Sequence, residues 1–154
     1  MSQLVALDRL WSEEDGLYLC KERTTGTLID SASIGGLLPA LAKIPPHRAE
    51  AIARTIERWS EKVKFIVPSQ DPNDPRFEAK RYWRGPAWLV TNYMIADGLL
   101  ASGETTVADH IRRSSLELIT QSGFAEYYDP ITAEPCGGGR FTWTAAMVLE
   151  FLAE

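Results

Sequence analysis

Arg81-Tyr82-Trp83-Arg84-Gly85-Pro86-Ala87-Trp88 is the stretch on which the reading of this chain turns, with two tryptophans, a tyrosine and two arginines in eight residues. Pro86 suits the first position of a helix, because its fixed φ matches and its missing N–H is not needed there. Gly85 lets the backbone turn tightly just before it. The run from Ala87 to Leu100, through Asn92 and Tyr93, is apolar enough to be a buried helix. The sequence therefore predicts a helix over 86–101 with an aromatic and cationic cluster at its N-terminal mouth. Flat aromatic faces beside hydrogen-bonding side chains suit a sugar ring, whose C–H face stacks while its hydroxyls take polar partners. The plainer alternative is a core pair of tryptophans, with Arg81 and Arg84 solvated or ion-paired.

Working upstream, Pro68, Pro72 and Pro75 exclude a helix from 65–80, which reads as an ordered extended loop leading into the cluster. Before it, Pro46 opens a helix to about Lys62 whose apolar face is Ala49, Ile52, Ala53, Ile56 and Trp59. Ser31 or Ser33 caps another helix through Ile34, Leu37, Leu38 and Leu41. Its Gly35-Gly36 pair weakens helix propensity by about 1 kcal/mol per glycine, and tight packing against a neighbour would explain the pair. Residues 17–30 read as a short hairpin or extended loop, and 2–14, with Leu4, Leu7, Leu10 and Trp11 at helical spacing, as an amphipathic helix.

Working downstream, Thr105 or Thr106 caps a helix that Gly123 ends. A loop over 124–140 then carries acids, aromatics and Gly137-Gly138-Gly139. Structureless loops of that length in a compact domain are usually functional. The glycines are not a phosphate loop, since no Lys-Ser or Lys-Thr follows them. Residues 141–152 read as a strongly apolar sixth helix.

The 154 residues make one domain's worth of chain, with 45% hydrophobic and 24% charged residues. A net charge of −5 argues against nucleic acid or an anionic membrane as partner. The apolar runs fall short of a membrane span, and the N-terminus lacks the basic start of a signal peptide. Cys20 and Cys136 have no CxxC spacing, which fits reduced thiols in a cytoplasmic protein. His47 and His110 look like surface helix residues, so neither a metal nor a cofactor is expected.

No Ser-His-Asp or Cys-His constellation can be assembled. The acids of the second loop are Glu126, Asp129 and Glu134. Asp129 before Pro130 reads as turn chemistry and Glu134 before Pro135 as exposed. Glu126 stands among Phe124, Tyr127 and Tyr128, whose rings desolvate a carboxylate and suit it to proton transfer.

Tyr82-Trp83-Arg84-Gly85-Pro86-x-Trp88 resembles the signature of the trehalase-like (α/α)6-barrel glycosidases of the glycoside hydrolase family 63 type, and among them the mannosylglycerate hydrolase and processing α-glucosidase group. Gly123-Phe124-x-Glu126-Tyr127-Tyr128-Asp129-Pro130-x-Thr132, followed by Phe141-Thr142-Trp143-Thr144-Ala145-Ala146, is similar to the C-terminal motif of the same enzymes. Gly35-Gly36-Leu37-Leu38-Pro39 and Val67-Pro68-Ser69-x-Asp71-Pro72 look like the hydrolase subgroup. Ala133 stands where that family usually has Gly, and Thr142 where it usually has Ser. The resemblance runs in order from about residue 17 to the end.

The resemblance implies an all-α fold, a partial (α/α)6 toroid of antiparallel helix pairs, with residues 1–154 as a single domain forming the C-terminal half of a catalytic barrel. It implies inverting hydrolysis of α-mannosides or α-glucosides such as mannosylglycerate or glucosylglycerate, with one acid protonating the leaving oxygen while a carboxylate activates water. It puts the general base on Glu126 and the substrate around Tyr82, Trp83, Arg84, Trp88, Asn92, Gln70, Tyr128 and Trp143. In this reading Trp83 and Trp88 are stacking walls, and Arg84 holds a carboxylate. The general acid, an Asp earlier in such barrels, has no counterpart here. The implied partners are a small carbohydrate and the missing half of the barrel, or a second copy through self-association. A non-catalytic helical module that binds sugar or a protein is the alternative. Met94, Ile95, Leu99 and Leu100 on one helix and Met147, Val148, Phe151 and Leu152 on another are expected to leave an apolar face uncovered.

Overall fold

The computed structural model describes residues 3–153. The expected N-terminal helix is shorter than its periodicity suggests: α1 covers Gln3–Asp8, and residue 2 lies outside the described residues. The chain then turns at once. β1 (Trp11–Ser12) pairs antiparallel with β2 (Leu17–Tyr18), so Trp11 faces Tyr18. Ser12 closes that turn, since its Oγ accepts from the Asp15 N–H at 3.2 Å while donating to the Asp15 carboxylate at 2.5 Å. A second small turn follows, in which Lys21 bridges Leu28.

The helix expected over 34–41 is instead a pair of 3-10 turns, Ile34–Gly36 and Leu38–Ala42. Two glycines and the missing N–H of Pro39 deny it an α-helical ladder. Gly36 is fixed by a close approach, because a Cβ there would lie 2.1 Å from the Tyr18 carbonyl oxygen.

Four longer helices carry the body of the molecule: α2 (Pro46–Ser60), α3 (Leu89–Ala101), α4 (Thr105–Ser122) and α5 (Thr142–Ala153). α2 and α4 are amphipathic, burying Ala49, Ile52, Ala53, Ile56 and Trp59 on the first and Val107, Ala108, Ile111 and Leu118 on the second. α3 and α5 are apolar nearly all the way round, the signature of helices meant for an interior. α3 packs on α4, on α5 and on the 38–42 turn. Gly98 lets it in, since a Cβ there would lie 2.6 Å from the backbone of Ala40.

α3 begins three residues later than Pro86 suggests, with Trp88 as its N-cap. Ala87 is held extended by a reciprocal pair of bonds: its N–H donates to the Tyr128 carbonyl at 2.9 Å and its carbonyl accepts from the Tyr128 N–H at 3.0 Å. This belongs to a ribbon of extended loop segments lying side by side. Ser33 bridges Gln70, Pro68 bridges Ala87, Ala87 bridges Tyr128, and β3 (Tyr127–Tyr128) pairs with β4 (Pro135–Cys136). Beneath it lies a small core of Phe65, Ala87, Leu89, Leu118, Ala125, Tyr128 and Ala133. The ribbon brings the loop before α3 against the loop before α5.

Candidate active site

The 78–85 segment is a closed loop. The Glu78 N–H donates to the Arg84 carbonyl at 3.0 Å, the Arg84 N–H donates to the Arg81 carbonyl at 2.7 Å, and the side chains of Arg84 and Glu78 pair across its neck. At its tip Tyr82 sits in the left-handed region with φ +36°, a conformation that costs a non-glycine residue about 1–3 kcal/mol and persists only where neighbours enforce it. One enforcer is Trp88, whose indole N–H donates to the Tyr82 carbonyl at 2.9 Å.

The rings form one cluster. Trp88 stacks on Trp83 at 4.3 Å with 7° between planes, and on Tyr127 at 4.9 Å with 25°. Tyr82 stands edge-on to all three, 4.9–5.8 Å away. Trp88 is 2% exposed, whereas Tyr82 and Trp83 are 48% and 46% exposed. The open faces of the cluster are therefore Tyr82 and Trp83.

Glu126 meets this cluster directly. The Tyr82 hydroxyl donates to Glu126 Oε1 at 2.9 Å. That bond, and secondarily burial, pushes the Tyr82 phenol above its ordinary range, so it stays protonated as a donor to the carboxylate. The other oxygen lies against Gly137, where a Cβ would sit 2.4 Å from Glu126 Oε2 and 2.6 Å from its Cβ. Gly137 has φ +73°, so glycine is required there by conformation as well as by space. One oxygen of Glu126 is anchored by Tyr82, and the other lies beside Gly137. The Lys80–Glu134 ion pair ties the tyrosine loop to the glutamate loop, and it raises the Lys80 ammonium above its ordinary value.

The structure thus brings Tyr82, Trp83, Trp88 and Glu126 together, with Arg84 at the neck of the same loop. Of the remaining sequence candidates, Asn92, Gln70 and Tyr128 are buried and Trp143 is exposed. Asn92 is fully buried and spends its amide inside, with Nδ2 donating to the Ile66 carbonyl and Ser115 Oγ and Oδ1 accepting from the Val67 N–H. Gln70 is buried against Asp74 and Ser31. Tyr128 is buried too; its hydroxyl accepts from the Ala125 N–H and donates to the Gly123 carbonyl, and burial pushes its phenol up to about 12. Trp143 stands on α5, edge-on to Phe141, and lines a groove between α3 and α5. Asp129 makes the turn expected of it, its Oδ1 accepting from the N–H groups of Ile131 and Thr132.

Sequence reading set Tyr127 beside Glu126 but did not foresee its stacking on Trp88, and it missed Gly137. Neighbouring strand residues face opposite ways, so only one tyrosine of the Tyr127-Tyr128 pair could join the rings, and the alternation does not say which. Gly137 was visible only as one of three consecutive glycines.

A family model for the mannosylglycerate hydrolase MGH1-like glycoside hydrolase domain matches residues 3–144. The chain belongs to this family. It is 46% identical over 149 residues to mannosylglycerate hydrolase MGH1 of Selaginella moellendorffii, a match covering 96% of this chain and 30% of that protein. It superposes with a TM-score of 0.93 and 39% identity on a GH63 mannosylglycerate hydrolase from Thermus thermophilus crystallised with glucose, over 98% of this chain and 38% of that one. The neutral trehalase of Saccharomyces cerevisiae shares the fold, with a TM-score of 0.75 at 17% identity. The fold is accordingly a part of an (α/α)6 helical toroid. The chain spans about a third of the length of these mannosylglycerate hydrolases. Among the described residues no helix is long and apolar enough to cross a membrane.

Proposed function

We propose that this chain supplies the general-base side of an inverting glycosidase site, as the C-terminal part of an (α/α)6 catalytic domain acting on α-mannosides or α-glucosides such as mannosylglycerate or glucosylglycerate. The observation that carries this is the contact of Glu126 with Tyr82 beside the open face of Trp83. A sugar stacked on Trp83 lies next to a carboxylate whose orientation is already fixed. Glu126 takes a proton from water as the water attacks the anomeric carbon, and a second carboxyl group on the opposite face protonates the leaving oxygen. Inverting sites hold such pairs about 6.5–9.5 Å apart. That second group comes, in this reading, from the rest of the toroid.

Arg84 suits the carboxylate of a glycerate leaving group. Its pairing with Glu78 is solvent-exposed, and such pairs are worth only about 0–1 kcal/mol, so a substrate carboxylate can displace it. The free thiols Cys20 and Cys136 fit a reducing cytoplasm.

The test is hydrolysis of mannosylglycerate and glucosylglycerate by this chain fused in frame behind the preceding part of the Thermus thermophilus enzyme. Glu126→Gln should lower turnover by about 10²–10⁴-fold, as loss of general-base catalysis does, while substrate still quenches tryptophan fluorescence. A fusion that hydrolyses equally well after the Glu126→Gln change would disprove the role. Sugar binding without hydrolysis in the unsubstituted fusion would leave a binding module.

A further inference from the structure

Two glycines flank Glu126 with nearly the same backbone and opposite surroundings. Gly123 has φ +71° and open space where a Cβ would go. Gly137 has φ +73°, and a Cβ there would meet Glu126 at 2.4 Å from Oε2, 2.6 Å from Cβ and 3.2 Å from Cδ. The β3–β4 pairing accounts for the difference. Tyr127 stands opposite Cys136 and Tyr128 opposite Pro135, so the next step of the same register sets Glu126 opposite Gly137. Side chains directly opposite on an antiparallel pair share a face, with Cβ atoms about 4.5–5.5 Å apart. Here the two Cβ positions fall at roughly half that separation, an approach that only glycine permits. Glu126 takes the whole of the space and lies across the bare backbone of position 137.

The contact differs in kind from a crowded side-chain tip. An oxygen at the end of a glutamate can swing away, but a Cβ is fixed by the backbone that carries it. A side chain at 137 has to push residue 126 itself aside. The same carboxylate is bound through Oε1 to the Tyr82 hydroxyl at 2.9 Å. Tyr82 belongs to a loop that is tied to the hairpin elsewhere, by the Lys80–Glu134 ion pair and by the bonds between Ala87 and Tyr128. Those ties hold the hydroxyl in place when residue 126 shifts, so the shift breaks the bond. We propose that Gly137 is a positioning residue for Glu126: having no side chain, it lets the carboxylate lie across the hairpin with Oε1 on the Tyr82 hydroxyl. The proposal rests on the reading of Glu126 as the general base, and Gly137 acts on the reaction through Glu126 alone.

Three substitutions test it in the same in-frame fusion. Gly137→Ala adds the Cβ and the left-handed strain together. Gly137→Asn adds the Cβ with less strain, since asparagine tolerates that backbone better than most residues. Gly123→Ala adds the strain with no contact. Both Gly137 variants should lower kcat by about tenfold or more with KM within about threefold, while Gly123→Ala keeps kcat within about twofold. Unaltered kcat in Gly137→Asn would overturn the proposal. So would an equal loss in Gly123→Ala, because strain rather than contact would then be felt. The chain alone supplies a readout that folding stability does not mimic. The bond to Glu126 is the first cause that holds the Tyr82 phenol above its ordinary 10.0, ahead of burial and of the charges on Glu126 and Tyr127. In the Gly137→Asn chain an NMR titration should find that phenol back toward its ordinary value, as in a Glu126→Ala chain. An unchanged titration refutes the positioning. A Gly137→Asn chain without native helix content refutes it too, because the glycine would then serve the fold rather than the base. The readouts separate the two ideas: hydrolysis that survives Glu126→Gln sinks the general-base reading alone, and the Tyr82 titration still decides what Gly137 does.

Discussion

Gly137 and Glu126 touch closely enough for a single methyl group to register. Gly137→Ala puts a Cβ against the Glu126 Cβ and Oε2 and forces alanine into a left-handed φ, so a loss of about 1–3 kcal/mol is expected in urea unfolding. The steric share should vanish in a Glu126→Gly background, giving a coupling of about 1 kcal/mol or more in a double-mutant cycle. Additive losses would mean the contact is not felt. Asp74 offers a second test. The Arg76 guanidinium holds its carboxyl at about 2, below an ordinary value of 3.8, and Gln70 donates to it as well. A depressed carboxyl stabilises the fold above its unfolded value and loses that contribution as pH falls through the folded one. Asp74→Asn should therefore cost on the order of 1–2 kcal/mol at neutral pH, a difference that shrinks as pH drops from about 4 to 2. Thermal melts across that range check it, and a pH-independent difference would contradict it. The meeting of the Tyr82 to Trp88 cluster with Glu126 was legible where chemistry crowded the sequence. The burial of Tyr128 and Asn92 was not, because aromatic and amide side chains serve a buried backbone as readily as a ligand.

The elements were legible in proportion to their amphipathicity. α2 and α4 announce themselves by apolar residues three and four apart, and the structure has them within about two residues of expectation. The start of α3 was not legible, because Pro86 is as compatible with an extended segment as with a first helical turn, and the choice is made by Tyr128, some forty residues away in sequence. Two substitutions on α3 separate local propensity from packing. In an exposed helix Gly98→Ala would add about 1 kcal/mol of stability. Here the added carbon meets backbone atoms of Ala40 and Leu41 at 2.6–2.9 Å, so the sign reverses and a loss of about 2 kcal/mol or more is expected in chemical denaturation. Asn92→Ala strands the Ile66 carbonyl, the Val67 N–H and Ser115 Oγ in the interior. A loss of about 3 kcal/mol follows, or a melting point lower by about 6–12 °C. An unchanged melting point with lost sugar affinity would instead return Asn92 to the substrate.

At the scale of the whole molecule, the sequence shows too many apolar positions for its own core, and the structure shows which of them lack a neighbour. Adjacent residues at the end of α5 make the contrast. Phe151 is fully buried against Tyr93, while Leu149 and Leu152 are 71% and 63% exposed. Phe151→Ala removes a packed ring and should cost about 3–5 kcal/mol in the chain alone. Leu149→Gln with Leu152→Gln removes only water-facing surface and should change unfolding by no more than about 0.5 kcal/mol. The same pair should reduce self-association in light scattering, because the exposed leucines extend the α3–α5 surface whose burial would drive it. Within a completed toroid the order changes, and the leucine pair then costs about 1.5–3 kcal/mol per side chain, as burial of leucine implies. The comparison of the two contexts is decisive because the substitution is the same in both. If the glutamines destabilise the isolated chain as much as the fused one, α5 is already covered by its own fold, and the apolar circumference of α3 and α5 needs another explanation.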